Sequence, residues 1–551
     1  MRTKLISIIV FFLIQNITLS QEQISSEQWQ NDLKYLQHTV NDNYPFLFKK
    51  VTSAKFNDEI EALYKAIPNL QPEEIPVAFS RIVSLFEYGH TQLPFGALAD
   101  DGILPINIYE FSDGIYIEGA HKDYQSIIGG KLISIENMAI AEVLDLIRPV
   151  VPAENDSFFK AYGLRYALLP NVLFAQGVIK VYKTNITITV EKNGKLITET
   201  LLPISYDNYS VEYSFTKADE NWKSIRQEGE KPLYLEQLDK VYYFTHLQAT
   251  KTLYVRHSRI ANDKTIDTKS FYKSVFDFAD LNDVEKLVLD VRLNGGGNNY
   301  LNKPIITGLI GSKFNKKGKL FVIIGRRTFS ACQNLINEFS NYTNVIFVGE
   351  PSAENLNFYG DTRKVVLPSS KLAVYLSFAW WQDKPQWENK EWTIPHIAVE
   401  LDFKSYQNNN DPILEAVLNY KDSDFILDPM AHLTQLFTEG KFEEVKRDAK
   451  KIVNNPQYKY SNFEEEFLQA GNRLMGSGDL QARKSALFIF EMVTETYPKS
   501  ISAYYSLANA QESLELIKEA IQSYKTIIEL DPDNVLATIA ANKIKELSNK
   551  R

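Results

Sequence analysis

The sequence predicts a mixed fold in four parts: a helical N-terminal domain, a β-rich module, an α/β core and an all-helical C-terminal segment. Three observations predict it. Over residues 26–88 apolar side chains recur at helical spacing, as in Leu33, Leu36, Val40 and then Phe56, Ile60, Leu63, Tyr64. Between residues 104 and 202 the pattern turns to short alternating runs, and over residues 241–403 to continuous apolar runs separated by a helical stretch. Beyond about residue 422 the chain reads as helix to its end. The boundaries implied are 21–95, 100–225, 235–422 and 425–551, in a chain of 551 residues that is too long for one hydrophobic core.

Each element has its own signal. In the β-rich module, Ile106-Asn107-Ile108-Tyr109 and Ile186-Thr187-Ile188-Thr189-Val190 alternate as half-buried strands do. Gly129-Gly130-Lys131-Leu132-Ile133-Ser134-Ile135 reads as a turn and a strand, followed by a helix over residues 140–147. In the core, residues 287–291, 319–324 and 345–348 are strands covered on both faces, with a helix over residues 329–339. Strand, helix, strand is the order of a βαβ unit.

The N-terminus begins Met1-Arg2-Thr3-Lys4 and continues with the apolar stretch 5–14 and a small residue, Ser20, before a polar run. These are the parts of a secretory signal peptide, read here as residues 1–20, and the stretch falls short of the roughly 20 residues a membrane span needs. The expectation is export to the periplasm or the extracellular side, with possible envelope association and no stable transmembrane span. A net charge of -9 argues against nucleic acid as a partner, which calls for a basic face. One cysteine, Cys332, allows no intrachain disulfide and too few sulfur ligands for structural zinc.

Two segments carry candidate chemistry. Asp290-Val291-Arg292-Leu293-Asn294-Gly295-Gly296-Gly297 leaves a buried strand with glycines that let main-chain N–H groups approach a ligand. No Gly-Lys-Ser/Thr follows, so it is not a phosphate loop. Arg327-Thr328-Phe329-Ser330-Ala331-Cys332-Gln333 places Ser330 at a helix start, where it is either an N-cap or a nucleophile beside favourable N–H groups. Cys332, two residues on, faces away from whatever Ser330 faces and is read as a packed residue. Asp290 and Arg292 are expected to pair and hold the glycine turn.

In the C-terminal segment Tyr504, Leu507, Ala508, Ala520, Tyr524 and Pro532 fall on the tetratricopeptide spacing, and Pro498 precedes Pro532 by one period of about 34 residues. The segment resembles that repeat family, with residues 432–455 and 463–498 as degenerate pairs. Such repeats either pack against the core or present a groove to a protein partner.

The glycine turn, the Ser330 segment and Val348-Gly349-Glu350-Pro351-Ser352 resemble, in order and spacing, the core of the S41 peptidases, the C-terminal processing and tail-specific proteases. Residues 129–135 look like their PDZ-like module, and Pro395-His396-Ile397-Ala398-Val399 with Asp411-Pro412-Ile413-Leu414 like the end of their catalytic domain. The resemblance spans about residues 30–420. It implies a ClpP/crotonase-like α/β core, a serine-type endopeptidase with no cofactor and no metal, and a peptide or protein substrate. It further implies Ser330 as nucleophile and main-chain N–H groups at Gly296 and Ala331 as oxyanion donors.

Where the processing proteases have their catalytic lysine this chain has Asn355, in Glu350-Pro351-Ser352-Ala353-Glu354-Asn355, and asparagine cannot accept the serine proton. The tricorn-type branch uses a histidine instead. Phe86-Glu87-Tyr88-Gly89-His90-Thr91 resembles its Asp-Gly-His-Thr stretch with Tyr88 for aspartate, which implies His90, one of seven histidines, as base and then acid. The carboxylate that fixes its tautomer is expected at Glu388, with Glu391 or Glu350 as alternatives. Gln333 stands where glutamate is common. Two other functions stay open: a noncatalytic protein that holds peptides or partners with its PDZ-like and repeat modules, for which Asn355 and Tyr88 speak, and hydrolysis of a non-peptide ester or amide.

Overall fold

The structure, a computed structural model, describes residues 24–387, 390–421 and 426–549, so the signal-peptide reading of residues 1–20 lies outside the described residues. The N-terminal helices form where the spacing predicts, at Ser26–Asn43, Ser53–Ala66 and Glu74–Ser84. The first opens with a capping box, in which Ser25 and Gln28 satisfy each other's backbone N–H groups. Behind the helices lies an antiparallel sheet of seven strands, with Ile106–Phe111, Gly114–His121, Lys131–Ile135, Ile186–Lys192 and Lys195–Leu201 side by side. Helices and sheet share one hydrophobic core, which runs from Trp29 to Leu201. That same core takes in Phe329, Ala353, Tyr359, Val374 and Leu376 from much later in the chain.

The second sheet has six strands in the order Tyr242–Leu247, Thr252–His257, Lys286–Asp290, Leu320–Ile324, Ile346–Gly349, Ile397–Ala398. The first pair is antiparallel and every later pair parallel. All five residues of Leu320–Ile324 are buried, which is why this segment reads as a continuous apolar run rather than an alternation. Its residues still divide by face. Leu320, Val322 and Ile324 pack with the helices Thr268–Leu281 and Ala331–Tyr342, whereas Phe321 and Ile323 belong to a core completed by Leu433, Phe467 and Phe490 of the C-terminal segment.

The C-terminal segment therefore covers one face of the six-stranded sheet. Its helices follow one another as hairpins, Pro429–Thr438 with Phe442–Val453, Phe463–Gly476 with Leu480–Thr496, and Ile501–Ser513 with Ile517–Leu530, before Val535–Asn549. The last of these close on a separate small core around Ala508, Ala520 and Tyr524, where the small residues let the helices come close. Among the described residues no helix is long and apolar enough to cross a membrane.

One hairpin joins the two sheets' territories. Phe358–Val366 and Ala373–Trp381 come in sequence between the last two strands of the six-stranded sheet but pack on the N-terminal core. Gln92 and Tyr375 exchange backbone hydrogen bonds of 2.9 and 2.8 Å, Thr91 Oγ1 donates to Ser377 Oγ at 3.0 Å, and Asp32 accepts the amides of Ser369 and Ser370.

Candidate functional site

Ser330 sits where the strand Leu320–Ile324 turns into the helix Ala331–Tyr342. The turn is tied down from both sides. Thr328 Oγ1 donates to Val291 O at 3.1 Å and accepts from Gly325 N, and Phe329 N donates to Asn294 O. Arg326 grips both carboxylate oxygens of Glu350 at 2.8 and 2.7 Å, so Glu350 is engaged in holding this turn. Ser330 itself has φ 58° and ψ -130°, a left-handed backbone that costs a non-glycine residue on the order of 1–3 kcal/mol and persists only where the surroundings impose it. Its hydroxyl does not cap the helix. The N-cap alternative thus leaves the hydroxyl without its expected use.

The glycine turn lies directly against this serine. A Cβ at Gly296, whose φ is 94°, would stand 2.5 Å from Ser330 Cβ, 2.8 Å from Phe329 O and 2.9 Å from Ala331 N. The N–H of Gly296 is occupied, donating to Asn294 Oδ1 at 2.9 Å. What Gly296 contributes here is space beside the Ala331 amide, which begins a helix and has no intrahelical acceptor. Asp290 and Arg292 pair as the sequence suggests, and Arg292 also makes a bidentate contact with Asp411 at 2.9 and 3.0 Å.

His90 arrives from the other core. Its ring stacks on Phe329, centroids 4.7 Å apart and planes 21° from parallel, with Phe358 on a near-parallel plane at 6.3 Å. Gly89 makes this approach possible, since a Cβ there would lie 2.3 Å from Phe158 Cε2. Burial holds the imidazole below its usual pKa, so it is a neutral base at neutral pH. Tyr88 is buried with its ring edge-on to Tyr359.

Sequence reasoning missed the two groups that join these halves. Glu354 Oε2 accepts from Ser330 N at 2.5 Å and lies 3.6 Å from His90 Nε2, which has no hydrogen bond. Glu154 accepts from Gly89 N at 2.8 Å and from Asn355 N at 3.1 Å, and its carboxyl contacts that of Glu354. Glu354 neighbours the Asn355 already singled out, but nothing in the sequence pairs it with Glu154. Of the expected third residues, Glu388 lies outside the described residues, and Glu391 has an exposed side chain while its carbonyl accepts from Asn155. Cys332 is fully buried and its thiol is pushed up by that burial, as befits a packing residue.

The sequence matches no family model and no curated protein. Among solved structures it is similar to mature CPAF complexed with lactacystin, at 11% identity and a TM-score of 0.47 over 72% of this chain and 99% of that one. It is similar to the photosystem II D1 C-terminal processing protease at 14% identity and a TM-score of 0.35, over 71% and 96% of the two chains. The tricorn protease is similar at 12% identity and a TM-score of 0.33, over 72% of this chain and 36% of that one. Each of these similarities is a likeness of fold at low sequence identity.

Proposed function

We propose that the chain is an exported S41-type serine endopeptidase that cleaves peptide bonds through an acyl-enzyme on Ser330. The observation that carries this reading is the strained, uncapped Ser330 at a helix start, with His90 stacked on the adjoining Phe329 and both residues at one carboxylate oxygen of Glu354. The ordered motifs around Gly296, Ser330 and Glu350 point to the same family. In this reading Ser330 Oγ attacks the peptide carbonyl while His90 takes its proton. The Ala331 N–H faces the developing oxyanion with the glycine turn clearing the space for it. His90 then returns the proton to the leaving amine, and water releases the acyl group by the reverse sequence. Glu388 is proposed as the carboxylate that orients His90. The helical hairpins beyond the sheet are proposed to be tetratricopeptide-like and to offer their free face to a protein partner.

A noncatalytic peptide-binding protein is the competing reading, favoured by Asn355 at the lysine position. Labelling with a fluorophosphonate probe separates the two. The peptidase reading expects labelling of the wild type and none of Ser330→Ala. A folded wild type that shows no Ser330-dependent labelling supports the binding protein instead.

A further inference from the structure

We propose that Glu154 and Glu354 form a positioning pair that holds a single proton between its carboxyls and so fixes the His90 arm against the Ser330 turn; the inference rests on the peptidase reading above. The two side chains are buried, with 6% and 0% of their surface exposed, and they meet carboxyl to carboxyl. Two carboxylates in contact in such a place repel, and water is not at hand to screen them, so one proton stays.

Backbone amides anchor both carboxyls. Both oxygens of Glu154 already accept a backbone N–H, from Gly89 and from Asn355. Glu354 Oε2 accepts from Ser330 N, whereas Glu354 Oε1 has no partner of that kind. The proton is held between the two carboxyls, where burial and the neighbouring acid raise Glu154 well above its usual value. Through this shared proton the amides of Gly89, Ser330 and Asn355 are tied together, although they come from segments far apart in the chain. A purely apolar contact could not fix three amides.

Other charges facing the pair are few. Lys50 favours the ionised form of both carboxyls, and His90, which is kept neutral by burial, is itself influenced by Asp361 as well as by Glu154. Burial outweighs Lys50 and pushes Glu354 up to about 8. An unfolded glutamate titrates at about 4.3. Between those two values the folded chain binds a proton that the unfolded chain has lost, so this contribution to stability is complete below about 4.3 and declines as pH rises to about 8. Above that Glu354 is ionised and places a charge beside His90.

Glu354→Gln tests this, because the amide keeps an acceptor for Ser330 N and a donor for Glu154 but has no proton to lose. The thermal stability of wild type relative to Glu354→Gln is measured from about pH 5 to about pH 9, together with the pH profile of kcat/KM for each. The expected result is a relative stability that falls as pH rises through that window, and an alkaline limb of activity displaced upward in the variant by on the order of one pH unit. A relative stability independent of pH overturns the pair. Should Glu354→Gln not fold, Glu154→Gln removes the same shared proton and must give the same relative slope, and its absence is equally decisive against the proposal. The stability readout needs no turnover. A slope without Ser330-dependent labelling would therefore retain the pair and reject the peptidase reading alone.

Discussion

Ser330 and His90 reach the same oxygen of Glu354 from regions that are built in different ways. The serine side is assembled by segments of one βαβ unit, with a turn pinned to the neighbouring strand end at Val291 and Asn294 and a glycine packed on the serine itself. The histidine side depends on contacts between residues distant in sequence. Thr91 meets Ser377, Gln92 pairs with Tyr375, and Gly89 is held by Glu154. The difference teaches where each half is vulnerable. Changes on the serine side should act on folding and chemistry together, whereas changes on the histidine side should affect chemistry more than stability.

The sharpest way to break that contrast is His90→Ala. Loss of the proposed general base should lower peptidase turnover by about 10²- to 10⁴-fold, with a melting temperature close to that of wild type. Near-normal turnover would remove His90 from the mechanism. Asp411→Ala acts on the opposite side. It leaves the buried Arg292 with only Asp290 as a charged partner, and breaking such a network should destabilise the fold by about 3–5 kcal/mol, read by denaturant unfolding. A loss below about 1 kcal/mol would mean that the serine side does not rest on this ion triad.

Gly296→Ala lies between these two. Its Cβ would meet Ser330 Cβ at 2.5 Å on a backbone with positive φ, so either the turn or the serine must move. The expected cost is about 1–3 kcal/mol of stability, with a fall in the rate of fluorophosphonate labelling. Unchanged labelling would show that the close approach of the glycine is not needed for reactivity.

The legibility of the sequence follows the same division. The buried strands of the parallel sheet were readable because burial on both faces leaves uninterrupted apolar runs such as Leu320 to Ile324. The N-terminal helices are readable from period. The hairpin Phe358–Val366 and Ala373–Trp381 was not anticipated as a support for the helical cap, because the bonds from Tyr375 to Gln92 and from Ser377 to Thr91 depend on tertiary placement, which periodicity does not carry. The C-terminal segment's packing against the core is one of the two uses that its repeat spacing allows, and Leu433, Phe467 and Phe490 take it up against Phe321 and Ile323. In the site, Ser330 and His90 stood in recognisable motifs. Glu354 did not, since an acid becomes unusual through burial and through the second acid it meets, and Glu154 is remote in sequence.

The smallest predicted effect tests the histidine side by its support rather than by its chemistry. Thr91→Val keeps the shape of a buried side chain but removes the hydroxyl that donates to Ser377 Oγ at 3.0 Å and accepts from Ser377 N at 3.2 Å. Leaving that amide unsatisfied should cost about 1–3 kcal/mol, at the lower end if Ser377 Oγ turns to a new partner. Thr91 adjoins His90, so a shift of the hairpin carries directly to the imidazole, and positioning errors of an ångström are enough to slow a proton transfer markedly. Turnover should therefore fall while labelling of Ser330 and the affinity for a peptide inhibitor change less. Equal losses in stability, labelling and turnover would instead mean that the hairpin supports both halves alike, and that the two sides of the site are less independent than their construction suggests.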